Sequence, residues 1–138
     1  MAELERQSAA IGIPDKRIKK ALDARAALIA TAEQQLATAI ELQEPEWSLE
    51  GLLILGRMYE SVGNDIAAAP APQLSPDQLT VYKREIAKKA EAVWTKAYKH
   101  YSLGIDFADR VTWESARVSA LEQQRDAVMA KLERDRRE

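Results

Sequence analysis

The side chains able to do acid–base, metal or ring-stacking chemistry fall in three places. His100 is the only histidine of the chain. Lys99 and Tyr101 flank it, and one turn away on its own face stand Lys96 and Gly104. A zinc-type site needs three or four nitrogen, sulfur or carboxylate ligands, and cysteine is absent, so His100 reads as a surface or groove histidine. Glu41, Glu44, Glu46 and Glu50 surround a helix junction. Paired carboxylates can share a proton or hold a cation, yet acidic groups near a helix start commonly complement the macrodipole, and that is the reading here. Trp47, Trp94 and Trp113 can form a ligand box, but at helical spacing they are expected in the core. Gly51, Gly56 and Gly63 lie inside one helix rather than after a strand, which excludes a phosphate loop. A hydrolase elbow also needs a strand. No catalytic residue, no metal site and no cofactor are expected.

The elements that carry these residues are helical. The 138 residues are one domain's length, and 46% hydrophobic with 30% charged is the balance of a folded chain. Lys plus Arg is 20 against 22 Asp plus Glu, a net charge of −2. Without a basic excess, nucleic-acid binding is not expected. No apolar run approaches the length of a membrane span, so no membrane insertion is expected.

Four helices are predicted, over about 14–43, 46–68, 76–109 and 112–134. Pro14 opens the first, whose stripe runs Ile18, Leu22, Ile29, Ala32, Leu36 and Ile40. Pro45 and Glu46 start the second. Leu52, Leu53, Ile54 and Leu55 surround a full turn of it, which predicts a central helix covered on every side. The stretch 69–74, with Pro70 and Pro72, cannot be helical. Ser75-Pro76-Asp77-Gln78 then reads as an N-cap, a proline at N1 and a capping box. One stripe continues from Leu79 through Tyr82, Ile86, Ala90, Val93, Trp94, Ala97, Tyr101 and Ile105 to Ala108. Thr112 is expected to cap the fourth helix, which carries Trp113, Ala116, Ala120, Leu121, Val128 and Leu132.

Two spacings in these helices repeat. Ala32, Leu36 and Ala39 are offset by 0, 4 and 7, as are Ala90, Trp94 and Ala97, and between them stands Leu55-Gly56-x-x-Tyr59. Small residues let two helices approach closely and the large one fills the notch. This pattern resembles the two halves of the tetratricopeptide (TPR) repeat. Gly56 and Ala90 are 34 positions apart, whereas roughly twelve separate the corresponding positions in a standard repeat. One expanded repeat flanked by partial ones is the description. From about Ile18 to Trp113 the chain resembles TPR-like repeat proteins of myxobacteria and related bacteria, many envelope-associated and some tied to gliding motility. The residues that carry this run from Glu44 to Glu60, then from Ala69 to Lys83, then Ala90-x-x-x-Trp-x-x-Ala-Tyr.

The fold expected is therefore all-α: four long antiparallel helices in a TPR-like right-handed stack. The resemblance implies a non-enzymatic scaffold for a protein or peptide partner. It also implies a periplasmic or cell-envelope home if the sequence is an excised domain, and the chain as written, without an apolar leader, reads as cytoplasmic. By the register set at Gly56, the outward positions of the second helix are Glu50, Arg57, Glu60 and Asn64, the candidate partner contacts. The alternative is a self-associating helical bundle, a homodimer, which an apolar strip left over on the first or fourth helix would favour. Gly56 is expected at a helix crossing, Gly63 on exposed helix, and Trp94 buried against the second helix.

Overall fold

The computed structural model describes residues 16–137, apart from the side chains of 16–19, 22 and 135–137. Four helices follow one another: α1 Lys16–Glu41, α2 Pro45–Ala67, α3 Pro76–Val111 and α4 Ala116–Arg137. No strand occurs among the described residues. Pro14, and the side chains of Ile18 and Leu22 in the expected stripe of α1, lie outside what is described.

Local chemistry explains each boundary. α1 ends where Gln43 turns left-handed at φ 55°. The Glu44 amide donates to the Ala39 carbonyl and the Gln43 amide to that of Ile40, the Schellman arrangement that satisfies carbonyls left over at a helix end. α2 starts at once, with Pro45 in its first turn and Glu44 extended before it. α3 begins with the full capping box: Ser75 Oγ accepts from the Gln78 amide and Gln78 Oε1 from the Ser75 amide. The expected cap at Thr112 is corrected. Thr112 closes α3 rather than opening α4, at φ 52°, with its amide donating to Asp109 and that of Trp113 to Ala108. The same bonding pattern ends α1 and α3, and Thr112 holds a left-handed conformation that β-branched residues rarely adopt.

The core lies on α2, which contacts all three other helices, while α4 also contacts α3. Toward α3, Tyr59, Val62 and Ile66 pack with Val93, Trp94 and Tyr101, all buried. Ala90 and Ala97 are fully buried one turn to either side of Trp94. An added Cβ on Gly56 would sit 2.2 Å from Cε1 of Tyr101, so the ring of Tyr101 occupies the notch that Gly56 leaves. Gly63 is corrected: it is buried, not exposed, and its missing Cβ is replaced by the indole of Trp94, 2.5 Å from where that atom would lie. α4 closes the other flank through Leu121, Val128 and Leu132.

Among the described residues, α1 contacts α2 alone. It buries Ala26, Ile29 and Ala39, whereas Ile40, expected in the stripe, is 58% exposed. Ile54 is exposed as well, so the expectation that α2 is covered all round fails on this flank, where α1 is the only helix among the described residues.

Candidate interaction surfaces

The four residues proposed from the register of α2 do not form one site. Arg57, Glu60 and Asn64 line a notch of about 250 Å³ together with Ser61 and Gln124 of α4. Glu50 lies instead at the edge of a different groove. Within the notch, Tyr101 Oη donates to Glu60 Oε1 at 3.0 Å and Lys131 Nζ to Glu60 Oε2 at 2.8 Å. Asn64 Oδ1 accepts from Trp94 Nε1 and from Lys131 Nζ, each at 3.1 Å. The Lys131 ammonium also stands 5.8 Å from the centre of the Trp94 ring, a cation–π distance. Burial pushes the Tyr101 phenol far above its ordinary pKa, and the Glu60 carboxylate adds to that. These bonds join α2, α3 and α4, so Glu60 and Asn64 serve the fold as they stand. Arg57 is exposed and makes no ion pair among the described residues.

The acidic junction divides in the same way. Arg117 of α4 donates through Nε to Glu50 and through Nη1 to Glu46, and Trp113 Nε1 donates to Glu46 Oε1. Hydrogen bonds from Trp113, then Ser115 and Arg117, hold the Glu46 carboxyl below the usual range, and the bond to Glu50 raises the Arg117 guanidinium. Glu41 and Glu44 are exposed. No group of three or more His, Asp or Glu side chains is placed to hold a metal ion among the described residues. His100 packs its ring 5.2 Å from that of Tyr59, with Nδ1 2.7 Å from the Lys96 carbonyl, and Tyr59 Oη donates to Glu33.

The core expectation for the tryptophans holds for Trp94, 4% exposed, and fails for the other two. Trp47 is 67% exposed and stands over an apolar groove that the sequence reading did not locate. Ala32, Leu36, Ala39 and Leu42 of α1 and its end form one wall, and Trp47, Gly51 and Ile54 of α2 the other, around a cavity of about 460 Å³. Glu44 and Glu50 sit at its edge. A second cavity of about 340 Å³ continues along the same pair of helices, between Arg25 and Leu28 of α1 and Arg57, Met58 and Ser61 of α2. Ile54 lines both. From Leu28 to Leu42 this face runs about 21 Å at the helical rise. Leu28, Leu42, Trp47 and Ile54 all expose large apolar side chains along it. A contiguous apolar surface of this kind marks an interaction site more often than a scattered one does. The signal in the sequence was that Leu28 and Leu42 stand off the stripe of α1.

No helix among the described residues is long and apolar enough to cross a membrane. No protein-family model, curated protein or solved structure matches this chain.

Proposed function

We propose that this chain is a non-enzymatic protein-interaction scaffold, a TPR-like right-handed stack of four antiparallel helices that receives a protein partner on the α1–α2 groove. The open apolar groove is the observation that carries the reading. Its walls are two packed helices, and its lining joins Leu28, Leu36, Leu42, Trp47 and Ile54 with the charged side chains of Arg25, Glu44, Glu50 and Arg57. A partner helix or peptide laid into such a groove gains from burying apolar area while the charges set its orientation. The antiparallel arrangement is supported by the order of contacts: Arg25 pairs with Asp65, Glu33 bonds Tyr59, and Leu36 meets Gly51. The TPR-like description is supported by the small residues at the α2–α3 crossing. Gly56, Gly63, Ala90 and Ala97 admit the rings of Tyr101 and Trp94. The resemblance adds a bacterial cell-envelope or motility assembly as the setting, which fractionation of the source cells tests.

Site-specific photocrosslinking in those cells tests the function. A photoreactive side chain at position 47 should yield covalent adducts with polypeptide, and one at position 88, on exposed α3, should not. Equal adduct yields at 47 and 88, or none at 47, would overturn the groove as a docking surface. The alternative reading, a self-associating bundle, is favoured by one observation: large apolar side chains are left exposed at Leu28 of α1 and at Leu42 just past its end, both along the groove.

A further inference from the structure

We infer that α4 is exchanged between two copies of this chain. In the exchanged form α3 runs on through Thr112 into one continuous helix, and the α4 segment of each copy docks on the other. The inference goes beyond the scaffold reading and leaves the α1–α2 groove untouched. It starts from the α3–α4 turn. Thr112 closes α3 at φ 52° and ψ 49°, a left-handed conformation that is costly to a β-branched residue. Glycine is the usual occupant of such a helix end, yet no glycine or proline follows Gly104 in the sequence. Residues 112–115 are therefore free of the two residue types that break a helix. Made helical, they join α3 and α4 into one helix over 76–137, about 93 Å long at the helical rise.

The register between α3 and α4 fits that joined helix. Leu121 Cδ1 fills the notch at Gly104, 2.7 Å from where a Cβ would lie, and the Lys131 ammonium stands over the Trp94 ring. Both pairs are centred between Thr112 and Trp113, so α4 doubles back along α3 about the strained turn itself. A two-fold axis at that point sets Gly104 of one copy against Leu121 of the other, and Trp94 against Lys131, in the same register and each twice. Two series at multiples of seven also run through the turn without changing phase: Gly104, Val111, Val118 and Leu132, then Phe107, Leu121 and Val128. That period keeps one seam of a long helix facing its partner. Two helices joined by a turn have no need of a common phase, whereas one continuous helix does. Val111 is 47% exposed in the closed chain. In the exchanged form the Val111 side chains of the two copies stand on that seam, within about 5 Å of one another along the helix axis. The contacts of Leu121, Val128 and Leu132 are the same in both forms, so the relaxed turn and the Val111 contact decide between them.

Two charge variants of the whole chain test the exchange. Lys131 of α4 bonds Glu60 of α2 at 2.8 Å. In Lys131→Glu, and equally in Glu60→Lys, this pair is like-charged whether α4 docks on its own chain or on an identical copy. Only an exchanged heterodimer of the two variants sets opposite charges together at both seats. An equimolar mixture, warmed and cooled together, should therefore become heterodimer in sedimentation velocity. Small-angle scattering should give it a longest dimension of at least about 90 Å, and circular dichroism should show any helix lost in the separate variants to return. The parent refolded at about 1 mM, where even a weak association is populated, should yield a dimer of the same length. Thr112→Gly should lower the association constant of that dimer about tenfold or more. Glycine is at ease in the left-handed turn, and each dimer relaxes that turn twice. A folded pair of charge variants that stays monomeric on mixing would overturn the inference. So would a parent that gives no dimer, a dimer much shorter than about 90 Å, or a Thr112→Gly chain that dimerises as tightly as the parent. Should a charge variant fail to fold even when mixed, the comparison of the parent with Thr112→Gly decides.

Discussion

α2 meets its neighbours in two different ways, and the contrast separates what holds this protein together from what it offers to others. Toward α3, the notches at Gly56 and Gly63 are filled by the rings of Tyr101 and Trp94, and each ring's polar atom is satisfied: Tyr101 by Glu60, Trp94 by Asn64. Lys131 of α4 then bonds both acceptors. Toward α1, the three atoms nearest the notch at Gly51 all belong to Leu36, whose Cδ1, Cβ and Cα lie 2.9, 3.3 and 3.6 Å from where a Cβ would lie. Trp47, Ile54 and Leu42 are left facing outward. Aromatic rings bonded at their edges make a closed seam toward α3, whereas toward α1 a single aliphatic side chain fills the notch and its large apolar neighbours stay exposed. A close-packed seam responds to the loss or gain of single carbons, and an open groove does not.

The comparison breaks most readily at Trp94. Trp94→Ala empties an enclosed aromatic site and leaves Asn64 without its indole donor, so a loss of about 3–5 kcal/mol is expected. Chemical denaturation measures it, and a melt close to that of the parent would show the seam to be no tighter than the groove.

Adding carbon to the seam tests the same property from the other side. Gly63→Ala drives a methyl group against the Trp94 ring and should cost about 1–3 kcal/mol, with Gly56→Leu costing at least as much. Were Gly63→Ala to melt no lower than the parent, the indole would not be held in that notch.

A third test uses pH. The Tyr101 phenol is raised in the folded chain, chiefly by burial, so folding disfavours its ionisation. Its contribution is fully present below the ordinary tyrosine pKa, near 10, and is lost as pH rises beyond it, where the unfolded chain releases the proton and the folded chain does not. Melting temperature should therefore fall more steeply above about pH 10 in the parent than in Tyr101→Phe, by up to about 1.4 kcal/mol of stability per pH unit. Parallel slopes would place the phenol in water.

The smallest effect is expected on the groove. Trp47→Ser removes a side chain that is two-thirds exposed, and its stability in dilute solution should stay within about 0.5 kcal/mol of the parent. A large loss would mean that Trp47 closes the core of α1 and α2 and that the groove is no docking surface.

Much of the seam was legible in advance, because helix periodicity alone aligns Ile86, Ala90, Val93, Trp94, Ala97 and Tyr101 on one face of α3. The groove was not. The 3.6-residue period names the apolar side of α1 but not how far α1 covers α2, so Ile40 was expected inside and is outside. Likewise Trp47 and Trp113 look like core residues in sequence and stand at the surface beside the α1–α2 junction and the α3–α4 turn. Glu50, Glu60 and Asn64 were chosen as outward-facing. Their bonds to Arg117, Tyr101, Trp94 and Lys131 depend on where α3 and α4 come to rest.

What the amino-acid order determined by itself is whatever closes within a turn or two of backbone. The non-helical stretch at Pro70 and Pro72, the Ser75–Gln78 capping box and the long stripe of α3 need no neighbour, since steric exclusion and short-range hydrogen bonds enforce them. Thr112 shows where local reading ends: its type suits an N-cap, but the helix before it was not finished, and it closed α3 in a left-handed turn instead. Which glycine admits a ring, which carboxylate finds a cation and which flank of α2 stays open were decided only when distant segments packed. Those outcomes rest on contacts between residues 26 to 71 positions apart, and no local rule ranks such contacts against one another.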